Sequence, residues 1–194
     1  TSNGRSVDSF DRAGRPNDTT EAVVLAANFM RSTKAPARTP GSLGPDNKNG
    51  QRAPSSRQRA LNQGEQAFLS AGCGICHAAT FVTAPAGTRI NGGAYEVPAA
   101  LGSITIHPYS DFLLHDVGTG DGIVQNGGQA TRNKIRTMPL WGLSKRRTFL
   151  HDGSANSVTE AINRHAGEAT AVISAFQKLS PQANRSLMGF LNSL

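Results

Sequence analysis

The residues with the clearest chemistry are Cys73-Gly-Ile-Cys76-His77, a C-x-x-C-H motif of the kind that attaches a c-type haem. Two thiols three positions apart can each form a thioether with one of the haem's two vinyl groups. The adjacent imidazole then reaches the iron from the proximal side. These are the only two cysteines in the chain, and both are used. A structural zinc site needs about four Cys/His ligands in paired spacing, and no second pair exists. A thioredoxin-like C-x-x-C sits at a strand end in a βαβ context, which the sequence does not offer. A disulfide between the two thiols leaves His77 unexplained. The expected cofactor is therefore one covalent haem c, with His77 on the iron. Covalent attachment takes place outside the cytoplasm in bacteria, so a periplasmic or secreted protein is expected.

A helix from about residue 59 to 71 must present this motif. Leu61, Ala67, Phe68 and Leu69 are its apolar residues, and Gly72 stops it. Gly64 allows a close approach four residues before Phe68, whose ring would pack near the macrocycle. Ser157 and Glu160 form a capping box for a short helix over 157–165. Another helical piece is expected at 168–178. A last one spans about 181–193, with Pro181 in its first turn and Leu187, Phe190, Leu191 and Leu194 as its packing face, crossing the first helix.

Upstream, 19–33 reads as a helix with Val24, Leu25, Asn28, Phe29 and Ser32 near one face and Met30 beside it. Residues 34–57 are basic and rich in Pro and Gly, and read as a linker or wrapping arm. The stretch 82–128 reads as loop, with a short hairpin around Asn91–Gly93. These features predict an all-α, cytochrome c-like haem domain that is loop-rich and carries an extended N-terminal arm. The expected boundaries are 1–58 for the arm and 59–194 for the haem domain, whose core would be largely porphyrin.

Net charge is +7, and residues 1–60 hold ten Lys/Arg against five Asp/Glu. A nucleic-acid partner is not expected, because no recognition motif, stacking set or dense basic cluster is present. The basic excess suits a solvated extension or docking onto an acidic redox partner. No stretch approaches the roughly 20 apolar residues of a membrane span. The start at Thr1 reads as that of a processed product.

The second axial ligand decides the reactivity and potential of a haem. The candidates are His107, His115, His151, His165, Met30, Met138 and Met188. A second histidine gives a low-potential iron, and a methionine raises the potential. Met138 lies in a Met-Pro loop some sixty residues after the haem motif, a common arrangement in small cytochromes. It could equally pack beside Trp141. Arg136 is either a propionate partner or an exposed loop arginine. Trp141 is expected against the macrocycle or in the core. His107 and His115 read as structural hydrogen-bonders with Asp111 and Asp116 as partners, and His151 as a turn residue. Spacing alone would let His107, Asp111 and His115 share a second metal, provided that a helix begins at Pro108.

Four further blocks follow the haem motif in order. They are His107-Pro-Tyr-Ser-Asp-Phe-Leu-Leu-His-Asp-Val-Gly118, Arg136-Thr-Met-Pro-Leu-Trp-Gly-Leu143, Phe149-Leu-His-Asp-Gly153, and Thr159 to Ala169 (TEAINRHAGEA). Together they resemble the C-terminal half of the di-haem oxidoreductase family, relatives of di-haem cytochrome c peroxidases, from about Ala60 to Leu194. The resemblance implies His165 as the distal ligand, in a helix following the Phe149–Gly153 element, with Met138 as its rival. It also implies a calcium bridge between haem domains through a Thr-x-Pro segment, here Thr137-Met138-Pro139, incomplete without the other domain. Family members carry two C-x-x-C-H motifs, and this chain has one. The expected function is one-electron transfer through a six-coordinate haem, with a redox partner protein that could bear the second haem. Two alternatives stand. One is a share in a di-haem peroxidase or oxidase acting on peroxide. The other is a haem subunit of a larger extracellular assembly held by the arm.

Overall fold

The protein is described by a computed structural model over residues 21–36, 55–124 and 127–194. Most of the expected basic arm, and the expected caps Thr19 and Thr20, lie outside the described residues. The described residues divide into two compact units, one of 21–35 with 82–104, the other of 36, 55–81 and 105–194 without 125 and 126.

In the first unit, helix α1 (Glu21–Ser32) leaves Val23, Val24, Leu25, Phe29 and Met30 exposed. Arg31 donates to Asn28 Oδ1 at 3.1 Å and stacks over the Tyr95 ring at 5.5 Å. Tyr95 belongs to a hairpin in which Arg89–Ile90 pairs antiparallel with Tyr95–Glu96. Its turn is Asn91–Gly93, where the hairpin was expected. Asn91, Gly92 and Gly93 all take positive φ there, the conformation such a tight reversal demands.

The second unit is built on two crossing helices. Helix α2 (Ser56–Ser70) is capped by Ser55, whose Oγ accepts from Gln58 N at 3.1 Å. It buries Leu61, Gly64, Ala67 and Phe68 on one face. Helix α5 (Pro181–Leu191) is capped by Ser180 and buries Leu187, Phe190 and Leu191. The helices touch at Gly64, where a Cβ would overlap the Ser186 carbonyl and the Phe190 side chain. Phe68, Tyr109 and Phe190 meet edge to face, with centroids 5.4–5.6 Å apart. Leu143, Phe176 and Leu187 complete this core.

Helix α3 (Val158–Asn163) starts at Ser157, which accepts from Glu160 N at 3.1 Å. In return, Glu160 Oε2 accepts from Asn156 N at 2.8 Å, one residue short of a reciprocal capping box. Helix α4 (Thr170–Gln177) precedes α5.

The all-α expectation is overturned. Short antiparallel pairs join Leu114–His115 to Ile135–Arg136 and Arg89–Ile90 to Tyr95–Glu96, with a further bridge between Phe149 and Ala155. Segments of two residues are too short for period-2 patterning to show in a sequence. What makes them is the folding back of long loops, whose backbone groups need partners once half-buried.

Candidate haem-binding site

Helix α2 ends at Ala71, and Gly72 turns the chain with φ of 92°, leading into a single tight turn over Cys73–Ile75. A β-carbon at Gly72 would adopt a conformation that L residues rarely take. The turn is closed by His77 N donating to Cys73 O at 2.9 Å. Neither cysteine is in a disulfide. Burial pushes the Cys73 thiol up to about 11. Burial also raises Cys76, helped by the negative charges of Asp111 and Glu168. Burial thus favours the neutral thiol at both positions.

The Nδ1 of His77 lies 2.8 Å from the carbonyl of Tyr109. A carbonyl only accepts, so Nδ1 carries the proton and Nε2 keeps its lone pair for a metal. Burial, which disfavours the imidazolium, brings His77 down to about 4. The ring is neutral throughout the physiological range, as an iron ligand must be. His165 follows α3 and repeats the arrangement, with Nδ1 2.7 Å from the carbonyl of Ala161. Both histidines thus reserve Nε2.

Several apolar side chains beside the motif face water. Ile75 is 74% exposed and Leu113 61%, and Leu69, Phe81, Phe112 and Met138 are also exposed. The Phe81 and Phe112 rings meet at a tilt of 54°, with centroids 5.9 Å apart. Exposed apolar side chains gathered at a motif are what a large apolar ligand would cover. The donor set and this apolar surround both fit a haem.

The remaining sequence candidates fall elsewhere. Met138 lies in the loop after Ile135–Arg136, beside Thr137, whose carbonyl accepts the Ser110 hydroxyl at 2.8 Å. Trp141 is half-buried and donates to His107 O at 2.8 Å. Arg136 is exposed on its strand. His107 meets Thr80 Oγ1 at 3.1 Å, and His151 Nε2 lies 3.6 Å from Asp121.

No helix begins at Pro108, so the His107/Asp111/His115 spacing has no meaning. Asp111 and His115 nevertheless come together, with Cys76, inside 4.8 Å. His115 is not available to a metal there. Its Nε2 lies 2.7 Å from Asp111 and its Nδ1 2.9 Å from Glu168. Donation to both carboxylates requires the imidazolium. The Glu168 bond accordingly raises His115 above its ordinary pKa against the cost of burial, and Asp111 adds to it.

Sequence reasoning missed three participants: Tyr109, whose carbonyl holds His77; Glu65, which accepts the Tyr109 hydroxyl at 2.6 Å; and Glu168, the second partner of His115. The one available signal was that Tyr109 lies in the same block as the Asp111–His115 pair.

No curated protein matches the sequence. A family model described as "Di-haem oxidoreductase, putative peroxidase" matches residues 50–194, a span that contains every residue of the site above. With a haem-shaped donor set inside the matched region, the chain belongs to this di-haem oxidoreductase family and has a haem-dependent redox role.

Proposed function

We propose that this chain is a c-type cytochrome module that passes single electrons through one haem. Cys73 and Cys76 hold the group by thioethers, and His77 and His165 bind the iron through Nε2. The observation that carries this reading is the matched pair of Nδ1 hydrogen bonds, 2.8 Å to Tyr109 O and 2.7 Å to Ala161 O. Each fixes the tautomer and ring plane of a histidine so that only Nε2 is open. When bound, the haem supplies a ferric–ferrous couple. The chain holds the two rings still and surrounds the group with apolar side chains that exclude water.

The other assignments follow from position. Arg136 is a propionate partner from an exposed strand. Trp141 supports the site while tied to the His107 carbonyl. Met138 is the rival ligand if His165 does not bind. A redox partner protein, which could carry a second haem, completes the electron path, and the chain works in the periplasm or outside the cell. No described helix is long and apolar enough to cross a membrane.

The family description favours a second reading, in which the chain feeds a peroxide-consuming haem on another domain. Low-temperature electron spin resonance of the ferric protein separates the two from an open iron. A low-spin signal supports the carrier, alone or as the relay of a larger enzyme. A high-spin signal overturns it and makes peroxide turnover the next measurement.

A further inference from the structure

Tyr109 is buried to 1% exposure, yet its backbone sits at φ of 50°, a region where a bulky L residue is an outlier. Something must hold it there. Its ring is wedged edge-on between Phe68 and Phe190. Its hydroxyl donates to Glu65 Oε1 at 2.6 Å, the short range of a hydrogen bond to a carboxylate. Its carbonyl, set by that unusual φ, accepts from His77 Nδ1 at 2.8 Å.

Glu65 lies on α2, eight residues before Cys73, so the helix that presents the C-x-x-C-H motif also anchors the acceptor for its histidine. The path from carboxylate to imidazole is short and crosses no exposed side chain.

We propose that Glu65 and Tyr109 form a positioning pair that sets the strength of the His77 Nδ1 hydrogen bond, and through it the reduction potential of the haem. This rests on the haem attachment proposed above. Donation from Nδ1 gives the imidazole more anionic character. That stabilises ferric iron and lowers the potential, because hydrogen bonds to a ligand's far side tune the metal. Without the Glu65 anchor, Tyr109 relaxes toward negative φ and its carbonyl leaves the line of the N–H.

The test is a potentiometric titration of the purified haem protein and of Tyr109→Phe, Glu65→Ala and Glu65→Gln. Haem staining on a denaturing gel confirms equal loading. Tyr109→Phe and Glu65→Ala are expected to shift the potential upward by similar amounts. Glu65→Gln keeps a carbonyl acceptor and should recover most of the wild-type value. A purely structural pair would lower the melting temperature and leave the potential alone. Wild-type potentials in loaded Tyr109→Phe and Glu65→Ala overturn this inference while leaving the haem assignment intact. An unstained wild-type protein overturns the haem assignment, and the inference with it. Should Tyr109→Phe not fold, the Glu65→Ala and Glu65→Gln comparison decides alone.

Discussion

At the scale of single residues, the chemistry rests on which ring nitrogen is occupied. His115, His165 and His77 are all half-buried histidines of the same unit, but their hydrogen bonds sort them. His115 has both nitrogens engaged by carboxylates, whereas among the described residues His77 and His165 each engage only Nδ1, with a backbone carbonyl. Replacement of His165 with Ala should convert low-spin ferric iron to high-spin while haem content stays constant, because attachment depends on Cys73 and Cys76. Met138→Ala should leave the spectrum unchanged. If the two variants exchange these outcomes in optical and spin-resonance spectra, Met138 is the ligand.

The C-x-x-C-H motif was readable because its chemistry lies in adjacent residues. Tyr109 and Glu65 were not, because their roles depend on a carbonyl and on a pairing across 44 residues of chain. Nothing in the amino-acid type at position 109 announces a positive φ.

At the scale of elements, two contacts bear the site. One is the α2–α5 crossing at Gly64. The sequence reading placed both helices and their crossing, since 3.6-residue periodicity is a local signal, and gave Gly64 a close approach without naming its partner. Gly64→Ala drives a methyl group into the Ser186 carbonyl, and neither backbone can yield cheaply. A loss of about 3 kcal/mol is expected from overpacking of this kind. Urea denaturation of the haem-loaded variant measures it, and a loss below about 1 kcal/mol would mean that the helices separate more easily than their packing implies.

The other contact is the His115 bridge. It ties Asp111, whose N–H donates to Cys76 O at 2.8 Å, to Glu168, three residues after His165. The pKa of His115 is higher in the folded chain than in the unfolded one. Its contribution to stability is therefore complete below the ordinary histidine value of about 6.5 and fades as pH rises through the raised one. About 1 kcal/mol should be lost across that window, in keeping with a partly exposed ion pair. Thermal unfolding followed from about pH 6 to about pH 9, upward from the ordinary histidine value, would show the decline in the wild type. In His115→Gln the decline should be absent. An identical pH profile in both proteins would remove the bridge from the stabilising contacts.

The short strand pairs belong to this scale too. The all-α expectation failed because two-residue pairings such as Leu114–His115 with Ile135–Arg136 leave no periodic trace. Their partners are chosen by loop closure in three dimensions.

At the scale of the whole molecule, a modest aromatic core accompanies an exposed apolar surround at the motif. Ile75, Leu113 and Phe112 lie in water although the core nearby is well packed, a pattern that asks for a large apolar ligand. A Cys73→Ser, Cys76→Ser double variant should therefore bind a hydrophobic dye such as ANS strongly and unfold at a lower temperature than the haem-bearing protein. Equal dye binding by both would show that the apolar surround is not the haem's seat.

The covalent haem itself is the central claim, and intact mass spectrometry of the denatured protein tests it most directly. The polypeptide of 20.4 kDa is predicted to carry the increment of one haem that survives acid and organic solvent. A spectrum showing only the bare chain, from protein expressed with haem-attachment machinery, would contradict it.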